Sequence, residues 1–238
     1  MDSVILFILL ILVSSVLQTS TGFGFSILAT PFLILMFDVR EAIQINLLLS
    51  LVISLALVAK IRHDVNWEYF RRLAAGSVIG LPVGIGIFLV ANMTVLKMVV
   101  AILILVLTML LILKYRIRQT SRRDYVIGGL SGVFTTSMGM PGPPILLYFS
   151  GTGLAKEALR ATTLAFYLII YALSFVVQFV FAGTSQVVWI NSLYALPIVI
   201  VGLIIGEWLF PKINQHSFRL LIYVLLLFTG GYLLWQQL

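Results

Sequence analysis

Two short stretches of glycine and hydroxyl residues interrupt an otherwise apolar chain. The first, STGFGF, occupies residues 20–25, and the second, TTSMGM, occupies residues 135–140, which is 115 positions later. Glycine lets the backbone turn within a membrane segment and lets a ligand approach closely, and the hydroxyls supply neutral donors and acceptors. A helix that restarts after such a break presents unpaired N–H groups and partial positive charge, which suits an anion. The chemistry expected here is reversible binding of a small anion.

Both stretches lie between apolar segments of marginal length, which favours interrupted helices. Unpaired backbone groups are tolerated in a membrane only where the break lines a cavity or is buried in protein. For a single stretch, close helix packing in lipid is the competing interpretation. For Asn46 and Thr162, which lie in the helices after the breaks, hydrogen bonding between helices is an equal alternative to substrate binding. The candidate substrate-binding residues are Ser20, Thr21, Gly22 and Gly24 in the first break, Thr135, Thr136, Ser137 and Gly139 in the second, and Asn46 and Thr162 in the helices that follow.

The composition is that of a polytopic membrane protein. Of the 238 residues, 61% are hydrophobic and 10% are charged, and the mean hydropathy is +1.15, whereas a soluble domain is about half apolar and a quarter charged. The net charge of +7 comes from cations in short loops, where membrane topology explains them better than nucleic-acid binding. No catalytic residue, metal-ligand cluster or phosphate loop can be assigned, so we expect neither an enzyme nor a cofactor.

Ten apolar segments can be marked, and a pattern of five recurs. A tryptophan followed by a Gly-x-x-x-Gly pair begins at Trp67 and recurs from Trp189, at a shift of 122 positions. The chain is therefore interpreted as one membrane transport domain, 1–238, with an internal repeat over about 1–114 and another over about 125–238. The glycine pairs are interpreted as helix-packing faces. The segments are 3–19, 23–37, 42–60, 70–90, 94–114, 125–137, 141–150, 158–182, 189–209 and 217–236.

The distribution of cations predicts the topology. If the first two segments of each repeat leave on the side they entered, thirteen of the fifteen Lys and Arg residues share one side, with only Arg40 and Lys97 opposite. The positive-inside rule prefers this arrangement, which places both termini outside and inverts the second repeat. The predicted fold is an all-α polytopic membrane protein with two inverted five-segment repeats, containing about eight full spans plus short broken or re-entrant half-helices. A compact chain with short cationic loops is typical of a protein of the bacterial inner (plasma) membrane.

Several loose motifs stand at matching positions in the two halves. They are Gly22-Phe23-Gly24, Pro31, Glu41-Ala42, Gly80 and Gly84, then Gly139, Pro143-Pro144, Glu157-Ala158, Gly202 and Gly206. Together they resemble the TauE/SafE sulfite-exporter family of membrane permeases. This resemblance covers essentially the whole chain and implies passage of small sulfur-containing or organic anions without ATP. The chain departs from the family's denser glycine run at Phe25, Ser137 and Met140.

The function predicted from the sequence is a secondary permease for a small anion, most simply a sulfite- or sulfonate-like one, working by alternating access. The alternatives are a passive anion channel and a non-transporting membrane assembly subunit. Proton coupling and oligomerisation are compatible with the sequence. Arg160 is interpreted as a loop cation near a helix end, with a countercharge for an anion as the alternative. Tyr167 and Tyr171, one turn apart, are interpreted as core residues, with lining of the cavity as the alternative. Glu207 is interpreted as an acid that reaches the membrane–water interface. Because no other buried acid is expected, a proton relay through carboxylates has little support.

Overall fold

The computed structural model describes residues 2–92, 119–149 and 154–212, together with residues 94, 95, 98, 99, 102, 105, 106, 109, 110, 113, 152 and 235. Segments 94–114 and 217–236 lie largely outside the described residues, as does Lys97. All the regular secondary structure in the described ranges is helical, as predicted. The helices are α1 (Asp2–Thr21), α2 (Phe25–Met36), α3 (Val39–Ile61), α4 (Trp67–Val90), α5 (Ser121–Met138), α6 (Gly142–Phe149), α7 (Lys156–Ala182) and α8 (Gln186–Leu209), with short 3-10 turns at Arg62–Asp64 and Phe210–Lys212.

Polar residues ahead of the apolar runs fix where several helices begin. Asp38 accepts the backbone N–H of Arg40 at the start of α3 (3.0 Å), and Asn66 accepts that of Tyr69 at the start of α4 (3.2 Å). Ser185 caps α8 in the same way. Such caps satisfy N–H groups that have no partner within the helix. No side chain caps α2, whose N-cap is a glycine, and this difference matters at the site below.

Within the described residues, five helices are long and apolar enough to cross a membrane. They are Val4–Thr21, Val39–Asp64, Trp67–Val90, Lys156–Ala182 and Gln186–Lys212, whereas Phe25–Met36 is a shorter apolar helix. The segment predicted at 125–137 is longer than expected, because α5 begins at Ser121 with charged residues in its first turn. The total of about eight spans stays a prediction, since two of the ten segments lie largely outside the described residues.

The first two helices of each half form hairpins. The ring of Phe37, just beyond α2, packs edge-on against Phe7 near the start of α1, with ring centroids 5.8 Å apart. At the end of α6, the Tyr148 hydroxyl lies 3.3 Å from the carbonyl oxygen of Thr120, just before α5. Each broken pair therefore turns back toward the end at which it began, and the two glycine stretches form the tips of the hairpins.

Glycine faces set the closest helix contacts. The most extensive pairing joins α4 to α5, followed by α1 with α8 and α3 with α7. On α4, a Cβ at Gly80 would stand 2.1 Å from the carbonyl oxygen of Gly129. On α8, a Cβ at Gly206 would stand 2.5 Å from the Cβ of Thr19. The prediction that the Gly-x-x-x-Gly pairs are packing faces is confirmed, since only glycine permits this approach.

We expect Gly80→Ala to destabilise the α4–α5 pair, because the added methyl overlaps backbone that cannot rotate away. The cost should be about 1–3 kcal/mol, as for overpacking elsewhere, and is read from thermal unfolding of the detergent-solubilised protein. Gly86→Ala on the same helix is the matched control, since nothing lies within 4 Å of its added Cβ. Equal melting temperatures for the two variants would contradict the packing interpretation.

Candidate functional site

The first hairpin tip depends on two glycines in left-handed backbone conformations. After α1 ends at Thr21, Gly22 has φ +85° and Gly24 has φ +115°, values that residues with side chains rarely adopt. A Cβ at Gly22 would stand 2.9 Å from the Cα of Arg160 in α7. The tip thus lies directly against the start of α7, and both its turn and its contact require glycine.

The second tip uses one left-handed glycine followed by prolines. Gly139 has φ +71°, and its N–H donates to the Thr135 carbonyl (2.8 Å) while the Met140 N–H donates to that of Phe134 (3.2 Å). These bonds satisfy the last carbonyls of α5. The following helix α6 begins at Gly142 and carries prolines in its first turn, where a missing N–H costs nothing. The breaks predicted at both stretches are confirmed.

Four of the predicted donor hydroxyls are engaged by their own helices. Ser20 donates to the Val16 carbonyl (2.7 Å), and Ser137 donates to that of Val133 (2.7 Å). Thr21 donates to the Leu17 carbonyl in the same i−4 pattern, and Thr135 does the same to its own helix. All four are buried. In this conformation they therefore offer a ligand lone pairs rather than protons.

The remaining polar candidates separate into two groups. Thr136 shares a hydrogen bond with Ser174 of α7 (2.8 Å), and the Asn46 amide of α3 donates to the Gly139 carbonyl (2.7 Å), so both hold the second tip. The Asn46 Oδ1 atom is buried without a hydrogen-bond partner. Thr162 instead accepts the backbone N–H of Asn66 (2.9 Å), which joins α7 to the α3–α4 turn. For Thr162 the helix-joining alternative is the one that the structure shows.

A group of buried hydroxyls that sequence reasoning did not select lies where the two half-helices begin. The Tyr171 hydroxyl lies beside those of Ser26 and Ser50, close enough to interact with both. These three oxygens, and that of Tyr167, nevertheless make no hydrogen bond of good geometry. All four residues are at most 1% exposed. We call Ser26, Ser50, Tyr167 and Tyr171 the hydroxyl cluster. The sequence places the two tyrosines one turn apart, with core packing preferred over lining of the cavity, and Ser26 lies one residue beyond the STGFGF stretch.

The hydroxyl cluster connects the first turns of α2 and α6. A Cβ at Gly142, the first residue of α6, would meet the Tyr167 hydroxyl at 3.1 Å and the Ile27 side chain of α2 at 3.0 Å. The rings of Tyr167 and Tyr171 are 5.3 Å apart. The N-terminal ends of both half-helices therefore meet at one buried place that is lined by hydroxyl groups without partners.

Arg160 holds the first tip, and its interpretation as a loop cation is wrong. The residue is 4% exposed, its Nε donates to the Thr19 carbonyl (2.7 Å), and its guanidinium pairs with Glu207. Thr19 needs this donor, because the N–H four residues later, that of Phe23, donates to the Thr21 hydroxyl (3.1 Å). A side chain from α7 thus satisfies a carbonyl that the break leaves unpaired.

Glu207 joins three helices at this end of the protein. Besides Arg160 of α7, it contacts Lys60 at the end of α3, with 2.6 Å between Lys60 Nζ and Glu207 Oε2. Its side chain is 25% exposed and that of Lys60 is 70% exposed. Glu207 is therefore partly exposed at this end of the protein. It is also the centre of an ion-pair network that holds the first tip.

A second buried acid, Asp124, contradicts the expectation that none would be found. It is fully buried in the first turn of α5, where it accepts hydrogen bonds from Tyr148 of α6 and Gln119 (3.0 Å) and pairs with Arg72 of α4 (3.2 Å). This network closes the base of the second hairpin.

Metal ligation has no support within the described ranges, where no three His, Cys, Asp or Glu side chains lie together in a group that could hold an ion. The polar atoms at the hairpin tips are hydroxyls, amides and backbone groups, together with the Arg160 guanidinium at the first tip. All of these are groups that can form hydrogen bonds.

The profile of the sulfite exporter TauE/SafE family matches residues 6–233. The chain belongs to this family. This match confirms the resemblance found in the glycine and proline motifs. Members of the family are membrane permeases for sulfite-type anions rather than enzymes. No curated protein and no solved structure matches the chain. Family membership makes this a multi-pass membrane transport protein with a small anionic substrate.

The Arg160–Glu207 pair should behave as a coupled unit. We expect Glu207→Met to cost about 2 kcal/mol, less than the loss of a partner from a fully enclosed pair, because Glu207 is partly exposed. The double variant Arg160→Met/Glu207→Met should be less destabilised than the sum of the single variants, because no buried charge is left unpaired. Thermal unfolding in detergent measures this, with Lys60→Met as the exposed control. Additive losses would show that the pair does not hold the tip.

Proposed function

We propose that the protein is a secondary permease that carries a small anion, sulfite- or sulfonate-like or organic, by alternating access. The observation that carries this proposal is the meeting of the two half-helix N-termini at a buried place. It is supported by membership of a family of sulfite-type permeases. A partial positive charge and free N–H groups at such termini attract anions, and weak neutral donors release them readily.

The first turn of α2 supplies backbone donors for the anion. The first intrahelical bond there runs from the Leu28 N–H to the Gly24 carbonyl (3.0 Å). The N–H groups of Phe25, Ser26 and Ile27 therefore precede the hydrogen-bonded part of the helix. The carbonyls at the tips are held separately by Arg160 and Asn46, which leaves the N-terminal turns free to face a substrate.

Matched contacts across the two halves support an inverted repeat. In the first half, α4 packs through Gly80 on α5 of the second half, and in the second half α8 packs through Gly202 on α1 of the first. The tips are matched as well, since each is held by a residue in the first turns of the third helix of the other half. Rocking of one half against the other about the fixed site would give alternating access.

The chain has no cysteine, which makes topology directly testable by single introduced thiols. We expect Asn92→Cys and Gln186→Cys, both at exposed positions, to be labelled by an impermeant reagent from the same, external side of the cell membrane. His63→Cys and Arg122→Cys should label only after the membrane is permeabilised. If each broken pair crossed the membrane once, Asn92→Cys and Gln186→Cys would label from opposite sides.

Anion flux in proteoliposomes containing only this protein tests the proposed function. The panel is sulfite, sulfate, thiosulfate, a taurine-like sulfonate and simple carboxylates, each with and without a pH gradient, which reports proton coupling. We expect saturable flux of at least one sulfur oxyanion. Conductance without saturation would identify a passive channel, and absence of flux from folded protein would favour an assembly subunit.

Asn46→Ala should reduce this flux strongly, because the second tip loses its bond from α3 and Oδ1 is removed from the site. The loss of a buried hydrogen bond costs about 1 kcal/mol or more, so we expect the maximal rate to fall by about fivefold or more. Asn191→Ala is the matched control, since the Asn191 amide contacts only its own helix, at the Val187 carbonyl (2.8 Å). Equal rates for the two variants would remove Asn46 from the site.

A further inference from the structure

We infer that the hydroxyl cluster of Ser26, Ser50, Tyr167 and Tyr171 binds the transported anion and selects oxyanions that carry a single negative charge. This inference rests on the proposed permease function and names the substrate class of the same site. It concerns the charge state of the ligand, which neither family membership nor the hairpin fold determines.

The first argument is that the cluster holds hydrogen-bonding capacity that the protein does not use. Its four buried hydroxyl groups make no well-aligned hydrogen bond, so part of the usual desolvation penalty of about 1–3 kcal/mol per group is uncompensated. They come from α2, α3 and α7, and Tyr171 lies beside both serines. Buried hydroxyls without partners also occur at Ser14, Thr19, Thr30, Ser131 and Ser192, so what distinguishes the cluster is that its members come together. Convergence of unused donors from three helices is the pattern of a ligand site.

The second argument is where the cluster lies. Ser26 is in the first turn of α2, and the Tyr167 hydroxyl lies at the first residue of α6, Gly142. Pro143 and Pro144 have no backbone N–H group, so the N-terminus of α6 presents fewer backbone donors than that of α2. The Tyr167 hydroxyl supplies a donor at the N-terminus that is short of them. Side-chain and backbone groups together surround the place where the two half-helices meet.

The third argument is electrostatic and sets the charge of the ligand. No cationic side chain in the described part of the chain is hydrogen-bonded to these hydroxyls. Arg160, the cation at the first tip, is already neutralised by Glu207. The available positive charge is therefore that of two helix N-termini, roughly +0.5 each, or about +1 in total. A monoanion is balanced by this charge, whereas a dianion would bring one further negative charge into a buried site without compensation.

Hydroxyl groups also suit a monoanion because they both donate and accept hydrogen bonds. A singly charged oxyanion can carry a protonated oxygen, which needs an acceptor, or an organic substituent, which needs only space. A ring of cationic donors would tolerate neither as well, since ammonium and guanidinium groups cannot accept. The cluster therefore fits hydrogen sulfite or an alkanesulfonate better than sulfate.

Binding to the solubilised protein tests the inference independently of transport. Methanesulfonate and sulfate form a matched pair, since a methyl group replaces one charged oxygen. At equal ionic strength, we expect methanesulfonate to raise the melting temperature in a saturable manner and sulfate to require at least tenfold higher concentration for the same shift. Equal or tighter binding of sulfate would overturn the inference.

The cluster is tested with variants that remove single hydroxyl groups. We expect Tyr171→Phe and Ser50→Ala each to raise the methanesulfonate concentration for half-maximal shift by about tenfold or more, because each loses a hydrogen bond to a charged ligand. The melting temperatures without ligand should stay level or rise, since an unpaired buried group is removed. The controls are Tyr194→Phe, at a residue that is 73% exposed, and Ser192→Ala on α8. Unchanged binding in both cluster variants would place the ligand elsewhere.

Flux measurements separate failure of this inference from failure of the permease proposal. Selective binding of methanesulfonate without flux of any anion would uphold the site and reject the permease function. Saturable flux with sulfate carried as well as methanesulfonate would uphold the permease and reject the single-charge rule. Flux that follows the same order as binding, and that weakens in Tyr171→Phe, supports both.

Discussion

The structure depends on satisfying the backbone where two helices stop inside the protein. A helix end leaves carbonyl and N–H groups unpaired, and in a membrane no solvent can take their place. At the first tip Arg160 of α7 binds the Thr19 carbonyl, and at the second tip Asn46 of α3 binds the Gly139 carbonyl. Each break is thereby joined to a central helix of the other half. The central pairing of α3 with α7 and the two hairpins form one connected system, and the N-terminal turns left between them form the proposed site.

The two tips are held by bonds of different strength. The first is held by a charged guanidinium that is also paired with Glu207. The second is held by neutral groups: the Asn46 amide, the Thr136–Ser174 hydroxyl pair and the Gln178 amide, which donates to the Thr136 carbonyl (2.8 Å). A hydrogen bond from a charged donor is stronger than one from a neutral donor. An alternating-access cycle built on this fold would therefore break one charged contact to move the first tip and several neutral contacts to move the second.

The parts of the site that could be predicted from the sequence are those with local causes. Glycines that need positive φ and prolines that end a helix act within a few residues, so the sequence predicts where both breaks lie. The i−4 bonds of Ser20, Thr21 and Ser137 are also local, since helical Ser and Thr hydroxyls commonly bond the preceding turn, so the sequence carries a signal for them as well. Arg160 and Asp124 could not be predicted, because their burial depends on partners 47 and 24 positions away. The hydroxyl cluster joins three helices, and sequence spacing cannot show such convergence.

A permease needs a site that holds its shape when empty and still releases its substrate, and in the proposed site two groups of hydroxyls meet these needs separately. Hydroxyls bonded to their own helices stabilise the tips and have no proton left to donate to a ligand. The four hydroxyls of the cluster make no well-aligned hydrogen bond in the empty protein, and an oxyanion that pairs with them would recover part of that lost free energy. Part of the binding free energy is thus stored in the empty site as unmet hydrogen bonds rather than as fixed charge. Such a site favours its ligand without the strong long-range attraction of a cation, and it can release the anion by the small shift of one tip.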